Sequence, residues 1–253
     1  MKYNNLIKAL VEELLTEAPK VNLGAYGSEP LTTNIRVAVS GGANKDGVPH
    51  VTRMLGLARE LAKDSGIPGA DSIRAYAADS ASAIRNRDAS KLSITVPTIS
   101  KPTKALQVAD PKITHTDATA LGVAHEVGHI ANKDLTDHMG ITMRAMIPQL
   151  TYNMEYNAHK SGEELMRHVG IPHTAQHDNI KDVTLGTYVD LANPMLMGKQ
   201  MQDETQGLVD RLTTDSKKLA SMNAIFNYSD DLERKGGINI IKDGKVQSAR
   251  ILQ

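Results

Sequence analysis

The chain contains no cysteine and no tryptophan, and its aromatic residues are seven Tyr and one Phe. Without cysteine there are no disulfide bonds and no thiolate zinc sites, so any zinc must be held by His and carboxylate side chains. The scarcity of aromatic residues argues against a stacking platform for single-stranded nucleic acid. It also leaves the hydrophobic core to aliphatic residues and methionine.

The chain has no excess of charge of either sign, since Lys and Arg (29) balance Asp and Glu (29). The sequence has no cluster of basic residues that would predict a nucleic-acid partner. No apolar run approaches the roughly 20 residues that span a bilayer, so no transmembrane segment is expected. Residues 1–20 have helical apolar spacing, but Glu12 and Glu13 rule out a signal peptide. The expected localisation is therefore the cytoplasm, or export without such a signal.

The order of the predicted elements gives an expected fold class and domain organisation. Strands are predicted over 34–39, 72–78, 91–96 and 104–109, with a β-hairpin over 238–251. Helices are predicted over 51–63, from about 116, from Pro148 to 169, and over much of 183–234, with a loop at 173–182. This order predicts an α+β fold: a small mixed or antiparallel sheet, a helix pair and a mainly helical C-terminal half. The expected units are an N-terminal amphipathic arm (1–30), a core (31–175) and a helical extension ending in the hairpin (176–253), packed on the core.

The most informative motif is His125-Glu126-Val127-Gly128-His129, the H-E-x-x-H pattern of zinc peptidases. On a helix, positions i and i+4 lie on the same face, so His125 and His129 can bind one metal ion. Glu126 can then reach a metal-bound water and take its proton.

The sequence around the motif favours a helix. Thr114 and Asp117 form a start that resembles a capping box, and apolar residues follow at helical spacing. Gly128 costs about 1 kcal/mol in a helix interior and is tolerable where another backbone passes close by. The alternative is an amphipathic helix whose histidines are only surface residues.

A catalytic zinc site normally has three protein ligands and one open position. A histidine six residues after His129, the metzincin arrangement, is excluded because Leu135 stands there. The gluzincin arrangement uses a glutamate from a following helix, and Glu155 fits it if the chain turns back between the two helices. The alternative is that Glu155 is a solvated helix residue.

At this point two motifs resemble one family. The zinc-helix sequence from His125 to Asp134 and the later Glu155-Tyr156-Asn157-Ala158-His159 are similar to the CAAX prenyl protease and HtpX-type heat-shock protease family of gluzincins. The resemblance covers residues 70–170 and implies one zinc ion bound by His125, His129 and Glu155, with Glu126 as the general base. It also implies that a sheet edge, 91–96, aligns an extended peptide substrate.

The chain departs from the family at two points. His159 stands where the family has an aspartate that orients a ligand histidine, so it is a candidate hydrogen-bond acceptor, a fourth ligand or a surface residue. The membrane helices of many relatives are also missing. Asp134 has two interpretations: it lies just outside the metal ligands and contacts one of them, or it is a surface residue at the helix end.

Four residues are candidates to stabilise the oxyanion, and the sequence does not choose among Arg167, His173, His177 and Tyr188. The spacing of His173 and His177 resembles a second metal pair, but no carboxylate motif supports it, so loop histidines are expected.

The sequence thus predicts a zinc-dependent endopeptidase that acts on a peptide or protein. Its zincin-like peptidase core is expected over 31–175 and contains the zinc-binding helix pair. The alternatives are a non-catalytic scaffold, effector or assembly component that keeps a structural zinc, and a latent peptidase covered by a terminal segment.

Overall fold

The computed structural model describes residues 22–27, 37–38, 48–67, 74–78, 82–85, 92–97, 100–134, 148–189, 199–234, 238–242 and 245–249. Side chains are described within 22–27, 49–67, 103–134, 151–189 and 203–225. The predicted amphipathic helix over 1–20 lies outside the described residues. The division into arm, core and extension remains a prediction.

Helices dominate the described part of the chain. They are α1 (Val48–Asp64), α2 (Ser100–Leu106), α3 (His115–Ala131), α4 (Pro148–His168), α5 (Ala175–Val189), α6 (Lys199–Thr214) and α7 (Ser216–Arg234). The predicted helix signals are confirmed at two of them. Pro148 opens α4, while Gly66 and Gly170 follow α1 and α4 with φ of 65° and 72°, a conformation in which glycine carries no Cβ penalty.

Within the described residues the backbone also forms six short strands, whose side chains are not described. They are β1 (Val37–Ala38), β2 (Arg74–Ala78), β3 (Ser82–Arg85), β4 (Leu92–Pro97), β5 (Ile238–Lys242) and β6 (Lys245–Ala249). β4 pairs with β2 in parallel and with β3 antiparallel. The expectation that 91–96 is a sheet edge is therefore wrong, because both sides of β4 are already hydrogen-bonded.

The α+β fold class is also wrong for the residues whose side chains are described, which are 80% helical and contain no strand or sheet. Its main core is built by helix faces that cover one another, with Leu57 of α1, Val123 of α3, Leu165 of α4 and Val183 of α5 all buried. No sheet face takes part in this packing as far as side chains are described. The predicted strands therefore do not define the fold.

Two further predictions fail locally. The predicted strand 104–109 is instead the end of α2 and the turn after it, with Pro102 in the helix's first turn, where its missing N–H costs little. The predicted loop 173–182 is mostly α5, which begins after Thr174. The Thr174 hydroxyl accepts the backbone N–H of His177 (3.4 Å), a cap that the polar composition concealed.

A second apolar cluster joins α4, α5 and α6 through Tyr152, Leu185, Leu208 and Leu212. Beside it, Asp182 of α5 accepts hydrogen bonds from Arg211 and from Lys218 of α7 (2.7–2.9 Å). These contacts hold α5 against α6 and α7, and α5 in turn packs on α4 and α3. The C-terminal helices thereby support the region where α3, which carries the H-E-x-x-H motif, meets α4, which carries Glu155.

Candidate metal centre

Local sequence fixes the start of α3. Thr114 is the N-cap: its hydroxyl accepts the backbone N–H of Asp117 (3.1 Å), and the Asp117 carboxylate accepts the N–H of Thr114 (2.9 Å). The predicted capping box is thus present, and it fixes where the helix that carries the H-E-x-x-H motif begins.

The end of α3 positions an acidic residue. Lys133 adopts φ of 62°, a left-handed conformation that is costly for a residue with a Cβ. The N–H groups of Lys133 and Asp134 bond back to the carbonyls of Ile130 and His129 (3.0 Å each), which is a Schellman motif. This turn reverses the chain so that the Asp134 side chain returns to the helix.

Helices α3 and α4 pack antiparallel and unusually close, with a glycine at each of two contacts. An ideal Cβ at Gly128 would lie 2.9 Å from the carbonyl carbon of Ala158 and closer still to its oxygen, and one at Gly162 would lie 2.7 Å from the carbonyl oxygen of Ala124. Gly128 therefore has the packing reason that the sequence suggested. Gly162 has the same role, which the sequence did not reveal.

The close packing brings Glu155 of α4 onto the two histidines of α3. Its Oε2 lies 2.9 Å from His125 Nε2 and 3.7 Å from His129 Nε2, and the two Nε2 atoms lie 3.1 Å apart. His129 and Glu155 are buried, and only 11% of the His125 side chain is exposed. These three residues form a group that can hold a metal ion.

Asp134 is buried and anchors one of the histidines. Its Oδ2 lies 2.9 Å from His129 Nδ1, the nitrogen that faces away from Glu155. Burial opposes a charged imidazole, but hydrogen bonds to Asp134 and Glu155 outweigh it and raise the pKa of His129 to about 10. A carboxylate on the far nitrogen fixes ring orientation and makes the ligand nitrogen more basic.

Glu155 is ionised in this environment. Burial would raise the pKa of its carboxyl, but hydrogen bonds from His125 and His129 hold that pKa far below its usual range. Glu155 therefore offers a carboxylate, which is the ligand form. Anionic oxygen and imidazole nitrogen at this spacing favour a divalent cation.

Glu126 and Tyr188 complete the surroundings. Glu126 is 8% exposed, and its charge acts on both His129 and Tyr188. Tyr188 lies at the end of α5, and burial together with the charges of Glu155 and Glu126 raises the pKa of its phenol. Tyr188 thus stays a proton donor at neutral pH. Of the four oxyanion candidates named from the sequence, it is the one that reaches this group.

The other three candidates lie elsewhere. Arg167 is exposed near the end of α4, and His173 Nε2 pairs with Asp178 Oδ1 at 3.0 Å. His177 lies within α5, not in a loop, and is 2% exposed. Its Nδ1 accepts the backbone N–H of Thr174, so it caps its own helix.

A second group with metal-binding residue types consists of Glu163, His173 and Asp178. Lys181 already provides a cation there, with its Nζ 2.5 Å from Glu163 Oε1 and 3.6 Å from Asp178 Oδ1. We interpret this group as an ion-pair network that joins α4 to α5.

His159 is buried on α4, with its ring centroid 4.1 Å from that of His125. Its Nε2 lies 3.2 Å from Thr184 Oγ1, and it does not belong to the group that can hold a metal ion. No hydrogen bond joins His125 to His159 in this structure, since the Nδ1 atoms of both rings lack partners. Thr184 had no signal in the sequence, because it lies on a third helix.

No protein-family model, curated protein or solved structure matches this chain. Within the described residues, none of the helices is both long and apolar enough to cross a membrane.

Proposed function

We propose that this protein is a zinc-dependent endopeptidase, with His125, His129 and Glu155 as the zinc ligands and Glu126 as the general base. The observation that carries the proposal is the convergence of two Nε2 atoms and one carboxylate oxygen within 3.7 Å, with Glu126 beside them. Two histidines and one glutamate are a ligand set of catalytic zinc.

The spacing of the ligand atoms supports zinc. Tetrahedral zinc with bonds of about 2.0–2.1 Å separates its ligand atoms by about 3.3 Å. The three separations here, 2.9, 3.1 and 3.7 Å, lie on both sides of that value. Small side-chain adjustments would therefore be enough to hold the ion.

The chain's own residues would divide the chemistry among them. A zinc ion held by His125, His129 and Glu155 would make a water acidic enough to act near neutral pH and would polarise the scissile carbonyl. Glu126 takes the proton from the attacking water and later passes it to the leaving amine. The Tyr188 hydroxyl donates a hydrogen bond to the oxygen that gains negative charge. Asp134 holds His129 in its ligand orientation.

The position of His159 favours the peptidase over a non-catalytic zinc scaffold. A structural site is closed by a fourth protein ligand, whereas a catalytic site leaves one position open. His159, the candidate fourth ligand, points one nitrogen at Thr184 and is absent from the ligand group. An acidic residue at 126 would also have no role in a structural site.

The test compares wild type with Glu126→Gln. We expect both to bind one zinc ion per chain, while the variant loses about 10²–10⁴-fold in peptide cleavage because the base is gone. Metal content and cleavage of a denatured proteome digest are measured in parallel. A variant that cleaves like wild type would refute the mechanism, and a wild type that binds zinc but cleaves nothing would support the scaffold.

Glu155→Ala tests the third ligand. Loss of the carboxylate should abolish stoichiometric zinc binding, since two histidines alone do not complete the site. Full zinc occupancy in this variant would remove Glu155 from the ligand set.

A further inference from the structure

His159 and His125 each carry a buried Nδ1 atom without a hydrogen-bond partner in the structure. Their rings are in contact, with centroids 4.1 Å apart and planes inclined by 44°. A buried polar nitrogen without a partner costs about 1–3 kcal/mol, so two of them in touching rings need an explanation.

Thr184 determines which nitrogen of His159 carries the proton. Its hydroxyl has one proton to donate and lies 2.9 and 3.1 Å from the carbonyl oxygens of Ile180 and Lys181. Because that proton goes to a carbonyl, Thr184 Oγ1 acts as acceptor towards His159 Nε2, 3.2 Å away. His159 therefore has its proton on Nε2. The buried Nδ1 of His159 has no hydrogen-bond partner, and a proton there would leave a buried N–H unpaired, so Nδ1 is bare.

His125 presents the complementary problem. In this structure its Nε2 donates to Glu155 Oε2 at 2.9 Å, so a neutral ring has a bare Nδ1. Two bare nitrogens cannot pair, which accounts for both unpartnered atoms. When the same Nε2 binds a metal ion, it must give up its proton, and a neutral ring then carries the proton on Nδ1.

We propose that His159 is a positioning residue for His125: its bare Nδ1 accepts the Nδ1–H of His125 once His125 binds the metal, and Thr184 holds His159 in the required tautomer. This inference rests on the proposed zinc site. It gives the two ligand histidines different supports, a carboxylate for His129 and a neutral imidazole for His125.

The neutral support has a consequence for charge. Asp134, Glu126 and Glu155 already place three carboxylates around the two histidines. A fourth would add like-charge repulsion in a buried site. An imidazole that only accepts a hydrogen bond orients His125 without adding negative charge.

The test replaces His159 by two side chains that separate hydrogen bonding from packing. His159→Asn keeps an acceptor near the position of Nδ1, while His159→Leu keeps apolar volume and has no acceptor. Zinc affinity is measured by competition with a chromophoric chelator, and folding without zinc is checked by thermal unfolding. We expect zinc affinity to fall 10–100-fold in the Leu variant and to stay within a few-fold of wild type in the Asn variant.

Thr184 provides an independent pair of variants, in case the Leu variant does not fold. Thr184→Val should weaken zinc binding because the His159 tautomer is no longer fixed, whereas Thr184→Ser should bind as wild type does. In the zinc-loaded wild type, long-range proton–nitrogen NMR spectra should show His159 protonated on Nε2 alone.

The outcomes separate the two proposals. If wild type fails to bind zinc, or Glu155→Ala binds it equally well, the proposed zinc site is wrong. If the zinc site stands but His159→Leu binds as tightly as His159→Asn, His159 only fills space and the inference is overturned. Protonation of His159 on Nδ1 in the loaded protein would overturn it as well.

Discussion

The close contact between α3 and α4 makes Gly128→Ala the most diagnostic single substitution. The added Cβ would lie 2.9 Å from the Ala158 carbonyl carbon, about 0.5 Å short of the 3.4 Å at which ordinary contact begins. It would lie closer still to the carbonyl oxygen. The obstacle is backbone, which cannot rotate away as a side chain would, so the two helices must separate.

Two opposing effects set the magnitude. Alanine in place of glycine in a helix interior gains about 1 kcal/mol. Forcing an extra methyl group into a packed contact costs about 1–3 kcal/mol, and a backbone obstacle puts this case at the upper end. The net result should be a loss of about 2 kcal/mol in the free energy of unfolding. For a chain of this size, this corresponds to roughly 4–8 °C in Tm.

The same separation should damage the metal centre. The helices must move apart by at least about 0.5 Å, whereas metal sites tolerate about 0.2 Å in their ligand distances. Glu155 lies on the helix that moves away from His125 and His129. Zinc affinity should therefore fall together with stability, and chelator competition measures this directly.

Gly207→Ala is the matched control. Gly207 is also within a helix, but a Cβ there would meet only the Arg211 guanidinium at 3.5 Å, which is ordinary contact. This variant should be more stable than wild type by up to about 1 kcal/mol and should bind zinc normally. If Gly128→Ala unfolds at the same temperature as Gly207→Ala and binds zinc as tightly, the argued packing of α3 on α4 is wrong.

Three further predictions concern groups around the site. Tyr188→Phe should still bind zinc but should lower kcat about 10²–10³-fold with little change in KM, because only the hydrogen bond to the developing oxyanion is lost. An unchanged kcat would remove Tyr188 from the mechanism. Zinc affinity should rise about tenfold per pH unit between pH 7 and 9, because the pKa of His129 is raised to about 10 and its proton must leave when zinc binds. Calorimetry in two buffers should show this proton release. A zinc affinity that does not change with pH would contradict the prediction. Asp182→Asn should lower the free energy of unfolding by about 1.5 kcal/mol at pH 7. Burial alone would raise the pKa of Asp182, but hydrogen bonds from Arg211 and Lys218 outweigh it and hold that pKa below its usual value. Since that stability is present above the unfolded-state pKa and is lost as pH falls through the folded one, urea unfolding should show wild type and variant converging below about pH 4.

The features that the sequence predicted well are local ones. The capping box at Thr114, the opening proline of α4 and the glycine after it depend on groups within a few residues of each other along the chain. The placement of His125 and His129 on one face follows from helix geometry alone. These interactions form in the same way whatever the rest of the chain does.

The errors have physical causes too. The region 173–182 reads as a loop because its residues are polar, yet Thr174 caps α5 and only the later part of the helix, with Ile180 and Val183, enters the core. The α+β expectation gave weight to short β-branched segments. Side-chain burial decides which elements build a core, and burial depends on what packs opposite, which periodicity does not specify.

By itself the sequence determined the helix of the H-E-x-x-H motif, with His125, His129 and the neighbouring Glu126, because about one turn of helix contains all three. It identified Glu155, Asp134 and His159 as candidate site residues but did not predict which groups they contact. Only the tertiary structure brought Glu155 to within 2.9 Å of His125, turned Asp134 back onto His129, and placed Tyr188 and Thr184 beside the group. The physical reason is the glycine-lined contact of α3 with α4 and the support of α5, which join residues far apart in the chain through backbone packing that no local pattern encodes.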